Sequence, residues 1–327
     1  MKTRPILRIR RPGPLTTVQD HGRWGFQHLG VPVSGAMDPL SFRVANALVG
    51  NHWTAAVLEI TLGGFEAEFL GPTAAALAGG DLGFELDGTP LGPGTSFRAE
   101  AGSVLRTKGR PRGCRAYLAV AGGFAVPEVL GSRSTYLPAR LGGLEGRALR
   151  QGDELRAYGP PFPPGWGPGR RAPPELLSPL PPPGEPIRLR VVLGPQADRF
   201  TRSGLHTFLA ERFEVSPQAD RMGYRLEGPR IEHAGPADIL SDGIAWGAVQ
   251  VPAHGRPIVL MADRQTAGGY PKIATVVRTD IPALAQAVPG DPVTFEAVSL
   301  WEAREQLAWQ ALRLRRWAEG SWEAGGL

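Results

Sequence analysis

Gln151-Gly152-Asp153-Glu154-Leu155-Arg156-Ala157-Tyr158 and Pro289-Gly290-Asp291-Pro292-Val293-Thr294-Phe295-Glu296 are built alike, each a Gly-Asp turn that runs into an alternating strand. Upstream of each stands a second shared signal, Ala121-Gly122-Gly123-Phe124 in one case and Ala267-Gly268-Gly269-Tyr270 in the other. Each of these follows an apolar strand, Ala116 to Val120 or Pro257 to Ala262. The repetition points to two related β-rich halves facing each other. Between them runs Gly159-Pro160-Pro161-Phe162-Pro163-Pro164-Gly165-Trp166-Gly167-Pro168-Gly169, leading through Arg170 to Pro181-Pro182-Pro183. Proline donates no ladder hydrogen bond and favours extended geometry, so this stretch reads as a surface connection. The expected organisation is a first β-rich subdomain over 1–158, a Pro-rich linker over 159–186, a second β-rich subdomain over 187–298 and a C-terminal helix over 299–327.

Other strand signals are short, β-branched and bounded by Gly or Pro: Ala56 to Leu62, Glu66 to Leu70, Leu82 to Leu86, Ser103 to Thr107, Ile187 to Leu193, Arg225 to Glu227 and Ala248 to Val251. The fold class is therefore mainly β, with a few short helices. One helix is expected over Asp38 to Val49, with Asp38 as N-cap, Pro39 in the first turn and Gly50 as the stop. Others are expected over Gln196 to Phe200 and His206 to Arg212. The last starts at Ser299 in a capping box with Glu302, and its pattern is expected to bury Leu300, Ala303, Leu307, Ala311 and Leu314.

With 327 residues and 42% hydrophobic content the chain can fill a real core, and its 44 glycines and 33 prolines are spread through apolar segments rather than concentrated in disorder. No apolar run reaches the roughly 20 residues a bilayer demands, and the N-terminus lacks a signal peptide's apolar region. A soluble, cytoplasmic protein with no membrane partner is expected. The single cysteine, Cys114, leaves no internal disulfide and reads as a small buried hydrophobe in an alternating strand. The net charge is +5 and the pI about 9.8, but the dense basic runs Arg8-Ile9-Arg10-Arg11, Arg110-Pro111-Arg112 and Arg313-Leu314-Arg315-Arg316 lack the aromatic interleaving of a nucleic-acid surface. Arginines meeting carboxylates, on a small acid or on a partner protein, is the reading preferred to nucleic-acid binding.

The chain carries no Gly-x-x-x-x-Gly-Lys-Ser/Thr phosphate loop, no Gly-x-Gly-x-x-Gly turn, no Gly-x-Ser-x-Gly elbow and no His-Glu-x-x-His helix. Its histidines, His21, His28, His52, His206, His233 and His254, show no ligand spacing, so no metal is expected. Nor is there an Ala-Met-Lys-Met signature for attaching biotin to this chain. Chemistry-bearing side chains instead gather between glycines in Gln19-Asp20-His21-Gly22-Arg23-Trp24-Gly25-Phe26-Gln27-His28-Leu29-Gly30-Val31-Pro32-Val33-Ser34-Gly35-Ala36-Met37-Asp38, continuing to Ser41, Arg43, Asn46, Gly50 and Asn51. The second half has its own cluster: Asp220 to Gly228, Leu240-Ser241-Asp242-Gly243, Gly247 to Pro252 and Asp263-Arg264-Gln265-Thr266-Ala267-Gly268-Gly269-Tyr270-Pro271-Lys272. Lys272 is one of only three lysines and follows a Gly-Gly turn in an apolar run. It is either an ammonium that polarises a carbonyl or binds a carboxylate, or a surface lysine at a strand end.

At Gly30 to Asp38, Asn46, Val49-Gly50-Asn51, Ser241-Asp242-Gly243, Gly247, Gln250-Val251-Pro252 and Asp263 to Tyr270 the sequence resembles the family of the 5-oxoprolinase C subunit, also known as allophanate hydrolase subunit 2, as the carboxyltransferase domain of urea carboxylase and as the antagonist of a sporulation kinase inhibitor. The resemblance runs from about Arg8 to Phe295; the helix after Ser299 and the length of the Pro-rich linker look particular to this protein. It implies two cyclophilin-like β-barrel subdomains with a cleft between them. It also implies partners, the 5-oxoprolinase B subunit most closely and the A subunit, which with this chain open 5-oxoproline to L-glutamate with ATP bound by the assembly. Biotin-dependent carboxyl transfer to an amide such as urea, and a non-catalytic module that binds a kinase inhibitor, are the alternatives within the resemblance.

On that reading Asp20 and His21 are candidates for proton handling, and Arg23 or Arg43 for a fork on a substrate carboxylate, Arg43 having the alternative of bracing its helix. Ser34 and Gly35 would offer donors near the dipole-positive helix start at Asp38. Gln250, Gln265, Thr266 and the catalytic candidate Lys272 would line the opposite wall, and Gln27, Met37, Arg221, Asp263, Gly268, Gly269 and Tyr270 complete the candidate binding set for a small carboxylate or lactam.

Overall fold

Phe65-Glu66-Ala67-Glu68-Phe69 shows how the sequence builds its sheets: the two phenylalanines and the alanine are buried, and the two glutamates point the other way. In the computed structural model, which describes residues 2–323, this strand is one of eleven in the first of two units. These are β1 (Thr3–Pro12), β2 (Leu15–Gln19), β3 (Val57–Thr61), β4 (Phe65–Phe69), β5 (Thr73–Asp81), β6 (Phe84–Leu86), β7 (Thr89–Leu91), β8 (Thr95–Ala99), β9 (Val104–Thr107), β10 (Arg112–Val120) and β11 (Glu154–Tyr158). They form a six-stranded sheet, β11-β1-β4-β9-β6-β7, and a five-stranded sheet, β2-β3-β10-β5-β8. Both contribute to one core, in which Ile6, Phe65 and Phe69 from the first meet Leu58, Leu118 and Val120 from the second. The outward glutamates answer the basic run of β1: Arg8 and Arg10 pair with Glu68, and Arg10 and Arg11 with Glu66. These arginines are largely exposed, so the pairs fix register more than they stabilise.

The second unit holds β12 (Ile187–Leu193), β13 (Phe213–Val215), β14 (Gly223–Glu227), β15 (Asp242–Gly243), β16 (Ala248–Gln250), β17 (Ile258–Leu260), β18 (Ala267–Gly268), β19 (Lys272–Val276) and β20 (Pro292–Ala297). Seven of these close into a barrel in the order β12-β19-β16-β17-β14-β13-β20, sealed by a parallel pairing of β12 with β20. Closure removes the exposed edges that an open sheet would present. β15 and β18 pair outside the barrel as a short ribbon. Leu189, Val191, Tyr224, Val249, Val259 and Ile273 fill the barrel, and Phe208 stacks on Phe295 with ring centroids 4.4 Å apart.

The units are not continuous in sequence. The first consists of the chain up to Arg23, Asp38–Leu180 and the chain from Ala311 on, while the second takes Trp24–Met37 together with Pro181–Gln310. Much of the Pro-rich stretch is thus part of the first unit. Ser96 N–H donates to Arg170 O, Ala172 N–H to Gly94 O, and Trp166 Nε1 to Leu48 O, while Leu176 is fully buried. Backbone groups that proline leaves available are here satisfied by strand edges and side chains.

Four helices occur among the described residues: α1 (Pro39–Leu48), α2 (Arg202–Ala210), α3 (Ile281–Ala285) and α4 (Leu300–Glu323). α1 has the expected cap, Ser41 N–H donating to Asp38 Oδ1 at 2.9 Å. The helix expected over Gln196 to Phe200 is only a 3-10 turn, Ala197–Arg199. α2 begins four residues before the expected His206, because Thr201 accepts from Gly204 N–H and caps it there. The capping box of α4 forms, with Ser299 N–H donating to Glu302 and Glu302 N–H to Ser299 Oγ. Its expected buried face does not: Leu300 is 60% exposed and Leu307 41%, and Ala311 is exposed as well. Amphipathic spacing states which side chains share a stripe and not whether anything covers it.

Asp20 fastens a loop of the first unit. Its Oδ1 accepts from Ser132 Oγ (2.6 Å), Ser134 Oγ (2.6 Å) and Gly22 N–H (2.9 Å), and its Oδ2 accepts from Arg133 N–H (2.6 Å). Asp20→Ala strands these buried donors, so the urea midpoint is expected to fall by the equivalent of roughly 3 kcal/mol; an unchanged midpoint contradicts this role.

Candidate functional site

Asp20, His21, Arg23, Asp38 and Arg43 lie in the first unit. The carboxylate of Asp20 is committed to the 132–134 loop as described, and His21 Nδ1 stands 3.9 Å from Asp20 Oδ2 with its ring edge-on to Trp53. Arg23 has no exposed surface; its Nε donates to Val129 O at 3.1 Å and its Nη2 to Ser134 O at 2.7 Å. A fork spent on backbone carbonyls in the interior braces a loop, which differs from the role of a substrate clamp. Asp38 likewise fills the start of α1 with its own charge, accepting from Ser41 Oγ (2.7 Å) and Ser178 Oγ (2.5 Å) as well as from the helix. The anion seat expected there is occupied by the cap itself. Tyr117 joins this network by accepting from Asp38 N–H and donating to Glu59 Oε2, and burial together with Glu59 pushes its phenol well above the ordinary range, so it stays a donor.

Gln27, Ser34, Gly35 and Met37 belong to the second unit, with Arg221, Gln250, Asp263, Gln265, Thr266, Gly268, Gly269, Tyr270 and Lys272. There the glycine-spaced segment is held by a buried ion pair. Arg221 Nε donates to Asp263 Oδ2 at 2.9 Å and its Nη2 to Oδ1 at 3.1 Å; the same Nη2 reaches Gly35 O at 2.6 Å. Ser34 Oγ donates to Asp263 Oδ1 at 2.5 Å, and Ser34 N–H to Ala262 O at 3.1 Å. Ser34 takes a left-handed backbone (φ 59°), unusual for a residue with a side chain and held here by those two bonds. Met37 is buried among the barrel's core residues. Gln27 sits on a short 3-10 turn and accepts from Gly25 N–H through Oε1.

Around Lys272 a second cluster forms. The lysine opens β19, is only 4% exposed, and places Nζ 3.2 Å from Asp242 Oδ2, so the surface-lysine reading does not hold. Its neighbour across the sheet is the buried Gln250, whose Nε2 lies 3.5 Å from Tyr270 O. Lys272 N–H donates to Gln196 Oε1 at 3.2 Å. The β15–β18 ribbon covers these groups: Asp242 pairs with Gly268, Ile244 N–H donates to Thr266 O, and Ile239 N–H donates to Gly269 O. A Cβ at Gly268 would stand 2.8 Å from Ile244 Cδ1, 3.0 Å from Gln250 Nε2 and 3.4 Å from Gln265 Nε2, so these side-chain ends would have to shift to admit one. Three side-chain amides and one ammonium therefore converge beneath a two-residue ribbon. The Lys272 ammonium, aided by the Gly243 N–H, holds the Asp242 carboxyl below the usual carboxylate range.

Sequence reasoning assigned no role in the site to Gln196, Trp246, Arg264 or Arg278. Gln196 reaches the cluster from the turn before Ala197–Arg199, and an isolated glutamine carries no pattern. Arg264 and Arg278 flank Trp246, their guanidinium carbons 5.9 and 4.1 Å from its ring centroid. Burial and the nearby Arg278 pull the Arg264 guanidinium down to about 10.

Residues 29–297 match the family model described as the carboxyltransferase domain, subdomain A and B. The chain is 41% identical to the C subunit of 5-oxoprolinase from Escherichia coli (strain K12) over 321 residues, covering 93% of this chain and 98% of that protein. It is 37% identical over 289 residues to the protein of the same name from Haemophilus influenzae, covering 88% and 89% of the two chains. Among solved structures, the Kluyveromyces lactis urea carboxylase is similar with a TM-score of 0.89 at 31% identity, the likeness covering 97% of this chain and 29% of that one.

A depressed carboxyl contributes stability that is present above its unfolded value of about 3.9 and is lost as pH falls through the lower folded value. A carboxyl-carbon NMR titration is expected to place the Asp242 midpoint below that of a free aspartate, and Lys272→Met is expected to raise it. A midpoint indifferent to Lys272→Met contradicts the pairing.

Proposed function

This chain belongs to the carboxyltransferase domain family, subdomains A and B, and we propose that within it the chain serves as the C subunit of a 5-oxoprolinase, opening 5-oxoproline to L-glutamate with ATP in the company of the B and A subunits. The observation that carries this reading is the likeness to a protein of that name along nearly its whole length, 98% of which is covered. A five-membered lactam is unstrained and its carbonyl is stabilised by resonance, so hydrolysis needs activation, which ATP supplies. The sequence holds no glycine-rich phosphate loop, and we therefore assign ATP to another member of the assembly.

What this chain contributes is positioning and charge stabilisation. The Lys272 ammonium stands against the lactam oxygen as negative charge grows there. Gln250 and Gln265 carry amide groups that complement the lactam N–H and C=O. Asp242, with Oδ2 3.2 Å from Nζ, supplies the counter-charge to Lys272. Nζ of Lys272 is buried, so on this reading substrate reaches it when the short β15–β18 ribbon lifts. Carboxyl transfer to urea is the second reading, favoured by the likeness to the urea carboxylase, and the same ammonium would serve it.

The test combines the purified A and B subunits and this chain with ATP and 5-oxoproline and measures glutamate, omitting each in turn. Activity is expected to need this chain, and Lys272→Ala is expected to lower turnover at least about 100-fold while the melting transition is retained. Glutamate formation that is indifferent to this chain contradicts the assignment. Urea-dependent ATP hydrolysis with a biotin carrier, and none with 5-oxoproline, would move it to the second reading.

A further inference from the structure

In the first unit a cavity of about 590 Å³ opens between the end of α1 and the second half of α4, a size suited to a small-molecule ligand. Its walls are Ala47, Ala311, Leu314 and Ala318, with Trp53 and the Arg43 guanidinium among them. Trp53 is 49% exposed yet braced, edge-on by His21 at 5.7 Å and by His52 at 5.4 Å between ring centroids. Arg43 lies over the indole, its guanidinium carbon 5.5 Å from the ring centroid. Among the described residues no carboxylate or carbonyl accepts a hydrogen bond from Arg43, and the indole face is its close neighbour. Burial lowers its affinity for a proton with no acid to offset the effect. The other polar groups of the cavity are already engaged. Asn51 Nδ2 donates to Asn46 Oδ1 and Val120 O, Asn51 Oδ1 accepts from Gly122 N–H, His52 Nδ1 is bonded to Thr54 Oγ1, and Arg315 pairs with Glu319.

We propose that this cavity is a binding site for an aromatic carboxylate, whose ring stacks on Trp53 and whose two oxygens take the open fork of Arg43. A half-buried guanidinium with five donors and no acceptor calls for a planar, bidentate anion. Alanine and leucine walls offer nothing to a sugar or an amide, and a braced indole favours a ring over an alkyl chain. 5-Oxoproline does not suit the cavity, because its lactam N–H and C=O would face alanines without partners. The site is separate from the proposed catalytic cluster, and the wall that α4 supplies lies past residue 297, where the family match ends.

The experiment is calorimetric titration of the full chain with phenylacetate, phenylacetamide, 5-oxoproline and inorganic phosphate. Phenylacetate is expected to bind saturably and the neutral amide not. Arg43→Gln is expected to weaken phenylacetate at least about tenfold, the loss of a charge-assisted pair. Ala311→Trp, at an exposed helix position whose side chain would fill the cavity, is expected to abolish binding with an unchanged melting transition, and it carries the test if Arg43→Gln does not fold. Absence of saturable phenylacetate binding overturns the proposal. So does equal binding of phenylacetamide, 5-oxoproline or phosphate, or wild-type affinity in both variants. None of these outcomes depends on glutamate formation by the assembly.

Discussion

The buried pair of Arg221 with Asp263 is the constraint on which the second unit depends. Removing two charges from water is costly, and a pair of this kind persists only where further hydrogen bonds use the remaining valences. Here those bonds come from Ser34 and Gly35, far away in sequence. The pair thereby makes a segment of the N-terminal half a part of the C-terminal barrel, and Met37 follows it into the core. A glycine-spaced loop whose one regular element is the 3-10 turn Gln27–Leu29 is tied to the barrel where one carboxylate and one guanidinium need its Ser34 and Gly35 to complete their hydrogen bonds.

The same reasoning separates the acids that hold the fold from the acid poised near open chemistry. Asp20 and Asp38 each accept several short hydrogen bonds from residues of their own unit. Asp242 is more than half exposed and faces a buried ammonium. Asp242 balances the ammonium from the solvent side, and the proposed function rests on Lys272 rather than on Asp20.

Much of this was legible in the sequence. The two Gly-Asp turns introduce β11 and β20, and the Asp38-Pro39 start and Ser299-Glu302 box mark α1 and α4, because caps and turns are local chemistry. The cluster from Asp263 to Lys272 was visible as a polar run between glycines. The allegiance of Trp24–Met37 to the second unit was not, since it rests on contacts between residues over 180 positions apart. Nor was the exposure of α4, whose stripe of leucine and alanine has the right period but is left largely uncovered among the described residues. Arg23 and Arg43 are both candidate forks in the sequence, with Arg43 also a candidate helix brace, and burial and partners show Arg23 to be the loop brace and Arg43 the open fork.

The Arg221–Asp263 pair holds residues 24–37 on the barrel, and native-state hydrogen exchange at the Ser34 amide reads this dependence most directly. That amide donates to Ala262 O. Replacing Arg221 by Gln is predicted to speed exchange at Ser34 and along residues 24–37 while amides of β16 and β19 keep their protection. Protection of Ser34 that survives the substitution, in a barrel that remains folded, would contradict the account.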